Sequence, residues 1–265
     1  MLRAVQHTLM VFFPPIQAEW GLALGLNALL IAIAQRLPLL TPSGWVHAGA
    51  LGTILWGCLG WRGWLAVVIY LALGSLVTRL GFLRKQAAGL AEARGGRRGP
   101  ENVWGSAATG ALIAMLIKAG IGDSSLLILG FSASFAAKLA DTFGSEIGKR
   151  WGRTTVLITN LRSVPAGTDG AISLEGTLAS AAGSVLMTVV FVGLFTQPPT
   201  RLAWGEPALL VASIGLLATL LESLMGALVQ HRVRWLTNEL VNGLQTFVAA
   251  FLAIAFAACL GWGSV

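Results

Sequence analysis

The sequence predicts an all-α, polytopic integral membrane protein with about eight transmembrane helices. Of its 265 residues, 55% are hydrophobic and only 11% are charged, and the mean hydropathy is +0.76. This composition is typical of polytopic membrane proteins and nearly excludes a soluble protein. The apolar residues occur in runs of about 20, the length that crosses a bilayer as an α-helix. We therefore treat residues 1–265 as a single transmembrane domain.

Eight apolar runs can be assigned as spans, and seven spans are possible because only Arg62 and Gly63 separate the second run from the third. The runs cover 19–37, 44–61, 63–83, 102–119, 124–146, 173–195, 208–229 and 239–260. Residues 1–18 contain a short apolar stretch that ends at Pro14 and Pro15. That stretch is too short to span a membrane and lacks a small-residue cleavage site, so we expect an interfacial segment and no signal peptide.

The positive charge is concentrated in three short connections. The net charge of +7 would suggest a nucleic-acid partner in a soluble protein. The cations of these connections are Arg84, Lys85, Arg94, Arg97 and Arg98; Lys149, Arg150, Arg153 and Arg162; and Arg232 and Arg234. With eight spans, all three connections lie on one side, which the positive-inside rule assigns to the cytoplasm. We therefore expect no nucleic-acid partner, both termini outside, and functional cytoplasmic loops at 84–101 and 148–172.

Carboxylates gather on the same side as the basic connections, and seven of them lie at helix ends or in the loop that follows residue 148. They are Glu101, Asp141, Glu146, Asp169, Glu175, Glu222 and Glu239. A first-turn position near the positive end of a helix dipole accounts for Glu101, Glu175 and Glu239 without a function. Asp141 and Glu222 instead lie in the closing part of a helix, where a carboxylate opposes the dipole. Those two positions favour a functional site.

Residues 131–174 concentrate charge and glycine in a chain otherwise suited to lipid. Four polar residues follow at intervals of four, three and four and therefore share one helix face: Ser134, Lys138, Asp141 and Ser145. An ionisable side chain at membrane depth is costly unless it faces protein groups, ions or water. We therefore expect Lys138 and Asp141 to line a polar cavity.

Glu146 lies on the same predicted helix as Asp141, but about 140° further around a regular helix. The two carboxylates could bind one metal ion only if the helix loosened near Gly144, or they could serve two ions. The choice between these arrangements depends on the helix geometry.

The segment after this helix offers groups that bind phosphate. It carries the cations Arg150, Arg153 and Arg162, and then a glycine-rich turn that contains Gly167, Thr168, Asp169 and Gly170 and precedes Ser173. Successive backbone N–H groups of such a turn can bind one anion, and the N-terminus of the next helix adds its positive dipole end. The turn is not a Walker motif, and Gly-x-x-Gly turns alone are weak evidence.

Amides and a carboxylate crowd the start of the last span and belong to the same mouth. They are Asn238, Glu239 and Asn242, and Asn102 begins the fourth span. Carboxylates, amides and cations around a cytosol-facing cavity suit metal-assisted phosphoryl transfer. Mg²⁺ prefers carboxylate oxygen and is shared with nucleotide phosphates, while lysine and arginine neutralise the transferring group. A lipid acceptor would reach such a cavity sideways between helices.

Five strings carry a further signal: NVWGSA (102–107), KLADTFGSEIG (138–148), LITNLRSVPAGTDGAISLEG (157–176), ESLMGALVQ (222–230) and LTNELVN (236–242). They resemble a family of integral membrane proteins that includes phytyl-phosphate kinase of phytol salvage and tocopherol synthesis. The resemblance covers roughly residues 100–260, and the combination of ADT-x-x-SE with VP-x-GTDG-x-IS is specific to it. Glu222 and Glu239 stand where aspartate is expected, and Phe143 where tryptophan is expected.

The resemblance implies a kinase that converts an isoprenoid monophosphate, phytyl or geranylgeranyl phosphate, to the diphosphate with a nucleoside triphosphate, CTP in particular, and Mg²⁺. With the patterns above it leads us to expect metal ligands at Asp141, Glu146, Glu222 and Glu239. The expected catalytic residues are Asp141, Glu146, Asp169 and Lys138. The expected phosphate- and nucleotide-binding residues are Asn102, Arg97, Arg98, Arg150, Arg153, Arg162, Gly167, Thr168, Gly170, Ser173, Asn238 and Asn242.

Other functions fit parts of the same pattern. A CTP-dependent lipid cytidylyltransferase would also need Mg²⁺ but would release pyrophosphate. A CDP-alcohol enzyme is disfavoured, because its arginine and later paired aspartates do not follow Asp169-Gly170-Ala171. A transporter of an anionic lipid or metabolite could use Lys138 and Asp141 as a coupling pair, although no internal repeat is evident. We expect a bacterial source, a cyanobacterium if phytol is the substrate, because no plastid transit peptide is evident; the oligomeric state stays open.

Overall fold

The computed structural model describes residues 18–196, 205–230, 233 and 235–263. Its elements are α1 (Ala18–Ala34), α2 (Pro42–Arg79), α3 (Phe82–Ala87), a 3₁₀ turn (Ala93–Gly96), α4 (Pro100–Lys118), α5 (Ser124–Trp151), β1 (Val156–Leu157), β2 (Ala171–Ile172), α6 (Leu174–Phe195), α7 (Gly205–Met225) with a π-helical extension (Gly226–Gln230), and α8 (Asn238–Cys259). The predicted all-α membrane fold is confirmed, with a short β-ribbon as an addition. The interfacial segment predicted at 1–18 lies outside the described residues except for Ala18, as do Arg232 and Arg234.

The longest helix, α2, is a helical hairpin. Gly60 interrupts it with φ 69° and ψ −167°, a conformation that glycine adopts because it has no Cβ to clash. A straight helix of 38 residues would be about 57 Å long. Yet Gly44 near its start and Gly74 near its end both lie against Arg98. The chain therefore reverses direction at Gly60, and the two halves of α2 run antiparallel.

Five helices of the described chain are long and apolar enough to cross a membrane: α2, α5, α6, α7 with its π-helical extension, and α8. Because α2 is a hairpin, it supplies both of the crossings predicted at 44–61 and 63–83. The shorter apolar helix α1 and the 19-residue helix α4 account for the first and fourth predicted spans. Each predicted span therefore corresponds to a helix or to half of the hairpin.

Helix α5 lies at the centre of the bundle and packs against α2, α4, α6, α7 and α8. Every residue from 127 to 140 is buried, as expected for a helix enclosed by other helices. Towards its C-terminal end, Gly144 and Gly148 lie against Gly176 of α6, and Gly144 also lies against Ser180. Small residues let two backbones approach closely in a membrane, where packing holds helices together. The central helix is thus fixed most closely to α6, next to the polar end of the bundle.

The α5–α6 contact predicts a strong effect of one added methyl group. A Cβ at Gly183 of α6 would lie 2.9 Å from the Leu139 carbonyl oxygen and 3.0 Å from Phe143 Cβ. Since a backbone oxygen cannot move aside, we expect Gly183→Ala to lower the free energy of unfolding by about 1–3 kcal/mol, measured as thermal stability in detergent. Gly193→Ala is the matched control, because nothing lies within 4 Å of its Cβ position. Equal stability of the two variants would contradict this packing.

Candidate active site

A cavity of about 330 Å³ opens at the end of the bundle where α2, α5 and α7 end and α4, α6 and α8 begin. The described parts of two basic connections, around 84–98 and 149–162, lie at this end. Most of the predicted site residues line the cavity. They are Arg97, Arg98, Asn102, Lys138, Asp141, Glu146, Gly167, Thr168, Asp169, Gly170, Ser173, Glu222, Asn238, Glu239 and Asn242.

Three of the predicted phosphate contacts lie outside the cavity. Arg150 packs against Gly81 on another face of α5, because successive residues of a helix are turned by about 100° and its neighbour Lys149 is the one that lines the cavity. Arg153 has a side chain that is 92% exposed, and Arg162 is exposed on the ribbon. The structure therefore does not bring these three arginines to the cavity, because the helix ends before Arg153 and the ribbon carries Arg162 away; their contact with phosphate stays a prediction.

The innermost polar group of the cavity is a cluster of three side chains. Lys138 pairs with Asp141 one turn along α5 and donates a hydrogen bond to Asn242 Oδ1 of α8 at 2.9 Å. Lys138 and Asn242 are 6% and 7% exposed. Within the described residues the Asn242 amide nitrogen has no acceptor. The cluster therefore presents an ammonium, a carboxylate and a free amide donor to whatever occupies the cavity.

Two further carboxylates lie near this cluster. Glu222 from the last turns of α7 and Asp169 from the loop before β2 both line the cavity. Glu222 interacts electrostatically with Asp141, Lys138 and Asp169. Three carboxylates, those of Asp141, Glu222 and Asp169, surround the single ammonium of Lys138. This excess of negative charge favours a bound cation or a protonated ligand group.

Glu146 forms an ion pair with a lysine that the sequence patterns did not single out. The ammonium of Lys85, on the six-residue helix α3, pairs with Glu146 and donates a hydrogen bond to the Thr78 carbonyl oxygen at 2.8 Å. Lys85 is only 1% exposed. In the sequence Lys85 is one cation of a basic connection, and nothing in its surroundings indicates that it is buried against a residue 61 positions away.

The rim of the cavity is rich in arginine. Arg94 pairs with Glu101, and Arg98 donates a hydrogen bond to the Tyr70 hydroxyl at 2.9 Å. Arg97 is exposed and has no side-chain partner within the described residues. Of these three arginines, Arg97 is therefore the one whose guanidinium is available for an anionic ligand.

An ion pair joins the rim to the central helix. Lys149 Nζ of α5 lies 2.9 Å from Glu92 Oε1, just before the 3₁₀ turn. Burial would raise the pKa of Glu92, but the adjacent Lys149 ammonium outweighs burial and holds that pKa below its ordinary value. The pair is therefore charged at neutral pH and ties the loop to α5.

Asn102 links α4 to α8 at the mouth. Its Nδ2 donates to Glu239 Oε1 at 3.3 Å, and its Oδ1 accepts from the Gly99 backbone N–H at 2.9 Å. Glu239 thus faces the cavity while it accepts a hydrogen bond from an amide. The prediction that Asn102 and Glu239 belong to one mouth agrees with their positions.

The predicted anion-binding turn is part of the β-ribbon. β1 and β2 pair antiparallel, with Val156 opposite Ile172. The Thr168 hydroxyl donates to the Pro165 carbonyl oxygen at 2.7 Å, and the Ser173 hydroxyl accepts from a backbone N–H of α6. Both hydroxyls therefore stabilise the local fold as well as line the cavity.

The carboxylates do not form a ready-made metal cluster. Among the described residues, no three His, Cys, Asp or Glu side chains come together closely enough to hold a metal ion. Helix α5 runs unbroken through Gly144, so Asp141 and Glu146 stay on different faces, each paired with a lysine. A single ion shared by those two carboxylates is thereby disfavoured, and metal binding by the four predicted acids stays a prediction.

Comparisons with known proteins place this architecture in a family. The chain matches the family described as integral membrane protein DUF92 over residues 25–250. The chain belongs to the DUF92 family. An uncharacterized membrane protein of Synechocystis sp. is 48% identical over 242 residues, which cover 90% of this chain and 92% of that protein. Protein VTE6, chloroplastic, of Arabidopsis thaliana is 39% identical over 244 residues, 89% of this chain and 71% of that protein.

A third relative covers most of the chain. An uncharacterized membrane protein of Methanocaldococcus jannaschii is 30% identical over 227 residues, 85% of this chain and 89% of that protein. No solved structure matches the chain. These matches confirm the family that the five strings indicated, an integral membrane family that includes phytyl-phosphate kinase.

The ribbon's contact with α7 predicts a specific effect at Gly170. This residue has φ +74°, and a Cβ there would overlap Ala227 and lie 2.6 Å from the Ser223 carbonyl oxygen. Gly170→Ala should combine the left-handed strain of about 1–2 kcal/mol with loss of this contact. We therefore expect faster amide exchange across 158–170, measured by mass spectrometry.

Gly89→Ala separates backbone strain from packing. Gly89 has φ +70° with nothing within 4 Å of its Cβ position, so its alanine variant should lose stability through strain alone and leave exchange in the ribbon unchanged. The same exchange pattern in both variants would show that the ribbon is not held by its contact with α7.

Proposed function

We propose that this protein is a membrane-embedded phosphotransferase that phosphorylates an isoprenoid monophosphate, phytyl phosphate or geranylgeranyl phosphate, to the diphosphate. The proposed donor is a nucleoside triphosphate, with CTP as the first candidate. The observation that carries the proposal is one cavity in which the cluster of Lys138, Asp141 and Asn242 lies below an arginine-bearing rim. Membership of a family that includes phytyl-phosphate kinase supports it.

The cavity has the charges that phosphoryl transfer requires at two levels. At the inner level, the Lys138 ammonium and the Asn242 amide nitrogen would hold the acceptor phosphate. At the rim, Arg97 would contact the donor triphosphate. Helices α4, α6 and α8 begin here, and their positive dipole ends favour bound phosphate. Such a site stabilises the charge of the transferring group without new covalent chemistry from the protein.

The proposed step balances without a strong base. An oxygen of the acceptor phosphate attacks the γ-phosphorus of the donor, the bond from that phosphorus to the bridging oxygen breaks, and the nucleoside diphosphate leaves. Because the acceptor phosphate is already deprotonated near neutral pH, no side chain has to remove a proton. The work of the chain is therefore to position two anions and reduce their repulsion.

Magnesium fits this site as a shared ion. Mg²⁺ is commonly held by one or two carboxylates together with substrate phosphates and water. Asp141 and Glu222 line the cavity and interact electrostatically, so they could supply two such carboxylates, with Asp169 and Glu239 as further candidates. When bound, the ion would neutralise the phosphate charge.

The fold supports a route by which the acceptor would reach the cavity. A long isoprenoid chain lies in lipid, so its phosphate has to reach the cavity from the membrane surface between helix ends. The positive-inside rule assigns the cavity end, with its basic connections, to the cytoplasm. We accordingly propose a cytoplasm-facing site in a bacterial, cyanobacterial membrane, which the cyanobacterial relative supports.

The decisive experiment is an assay of the detergent-solubilised protein with phytyl and geranylgeranyl monophosphate, Mg²⁺ and each of four nucleoside triphosphates. Lipid diphosphate is followed by mass spectrometry. We expect diphosphate with the wild type, loss of product with EDTA, and a fall of at least about 100-fold in Asp141→Asn, because one charge-stabilising group is removed. Glu175→Gln is the matched control, since Glu175 lies at the same end but outside the cavity.

The other outcomes point to other functions. A CDP-lipid with pyrophosphate would indicate a cytidylyltransferase. No product across the panel, from a folded protein that binds neither nucleotide nor Mg²⁺, would contradict the kinase and favour transport. An Asp141→Asn variant that keeps full activity would contradict the assigned site even if the kinase activity itself is present.

A second prediction concerns the rim. Because Arg97 has no side-chain partner among the described residues, its removal should cost only binding of the donor. We expect Arg97→Gln to raise KM for the nucleotide about tenfold with little change in kcat, the signature of lost uniform binding. Arg84→Gln is the control, since Arg84 is exposed and lies outside the cavity. Equal KM values in both variants would remove Arg97 from the donor site.

A further inference from the structure

Lys85 and Glu146 form a buried ion pair beside the cavity, and the sequence patterns do not predict this pair. Both side chains are almost fully buried, at 1% and 3% exposure. The Lys85 ammonium also donates to the Thr78 carbonyl oxygen at 2.8 Å, so two of its three protons are satisfied by protein. A buried carboxylate already neutralised by a lysine has little charge left for a metal ion.

Two ion pairs fasten the segment 85–98, called the loop below, to α5, and the Lys85–Glu146 pair is one of them. Glu146 and Lys149 lie one turn apart on α5, and the loop meets them with Lys85 and then Glu92. The signs are reversed between the two pairs, so the loop can dock in only one register without placing like charges together. The Gly81 backbone adds a third contact, against Arg150.

The loop fastened in this way carries the rim arginines. Residues 93–96 form the 3₁₀ turn directly after Glu92. The Arg97 backbone N–H donates to the Arg94 carbonyl oxygen at 3.3 Å, and the Arg98 N–H donates to the Leu39 carbonyl oxygen at 3.0 Å. The position of Arg97 over the cavity therefore depends on how the loop is held between α5 at one end and Arg98 at the other.

We propose that Lys85 and Glu146 are a positioning pair, which holds the loop 85–98 so that Arg97 meets the donor phosphates. Glu146 then acts through Lys85 and not on a metal ion or on the reacting atoms. The kinetic part of this inference rests on the proposed function, whereas the structural part does not. Lys85 and Glu146 touch no substrate in this arrangement.

The test compares single variants with a double variant. Lys85→Met and Glu146→Leu each leave one charge buried without its partner, which is strongly unfavourable. The double variant Lys85→Met/Glu146→Leu replaces the pair with two apolar side chains, an exchange that buried ion pairs often tolerate. We expect faster amide exchange across 85–98 in each single variant and recovery in the double variant, measured by mass spectrometry without any ligand.

Activity supplies the second readout. Each single variant should raise KM for the nucleotide by about 10-fold or more, because a shift of about 1 Å is costly in positioned catalysis. The acceptor KM and the Mg²⁺ dependence should stay unchanged, and the double variant should return the nucleotide KM to within about threefold of wild type. Rescue of this kind requires that neither charge takes part in the reaction.

Several results would overturn the inference. A folded double variant without activity, or with an altered Mg²⁺ requirement, would show that Glu146 acts on the metal or the reaction. Unchanged exchange in both single variants would show that the pair does not hold the loop. A double variant that does not fold would show that the pair is required by the whole fold and is not a device that positions the loop. A wild type without kinase activity would refute the proposed function, and the exchange experiment would still decide whether the pair positions the loop.

Discussion

A charge buried inside a lipid-facing bundle is costly unless a partner meets it, and the cavity is arranged around this constraint. Lys138 is met by Asp141 and Asn242, Glu146 by Lys85, and Lys149 by Glu92. Lys138 and Asp141 both lie on α5, and each of the other two ion pairs has one member there. Because α5 is enclosed by five other helices or helix pairs, its polar residues face protein and not lipid, and neighbouring elements supply Asn242, Lys85 and Glu92 as partners.

The polar end of α5 has two turns with different roles, one open to the cavity and one bound to a loop. The turn at Lys138 leaves the Asn242 amide and nearby carboxylates turned towards the cavity, so it can meet a ligand. The turn at Glu146 and Lys149 is engaged by the loop after α2, so it holds structure. A residue type therefore does not reveal its role here, since both turns contain one lysine and one acid.

The site also depends on backbone segments that approach each other closely at glycine residues. Glycines bring α5 against α6 at the wall of the cavity, and the loop before β2 reaches the π-helical end of α7 because Gly170 has no Cβ. An added methyl group at this position would displace the loop that carries Asp169. The π-helical segment differs from ordinary helix where it meets the loop, as is frequent near functional sites.

Hydropathy, charge bias and motif spacing were sufficient to predict the membrane fold, the spans and most residues at the mouth, because these are properties of neighbouring positions in the chain. The helical spacing of Lys138 and Asp141 correctly placed both on a cavity. Spacing could not assign Arg150 to a face turned towards Gly81, nor pair Glu146 with Lys85 across 61 positions. Those contacts depend on how α3 and α5 pack, and packing between distant segments is decided only in the tertiary structure.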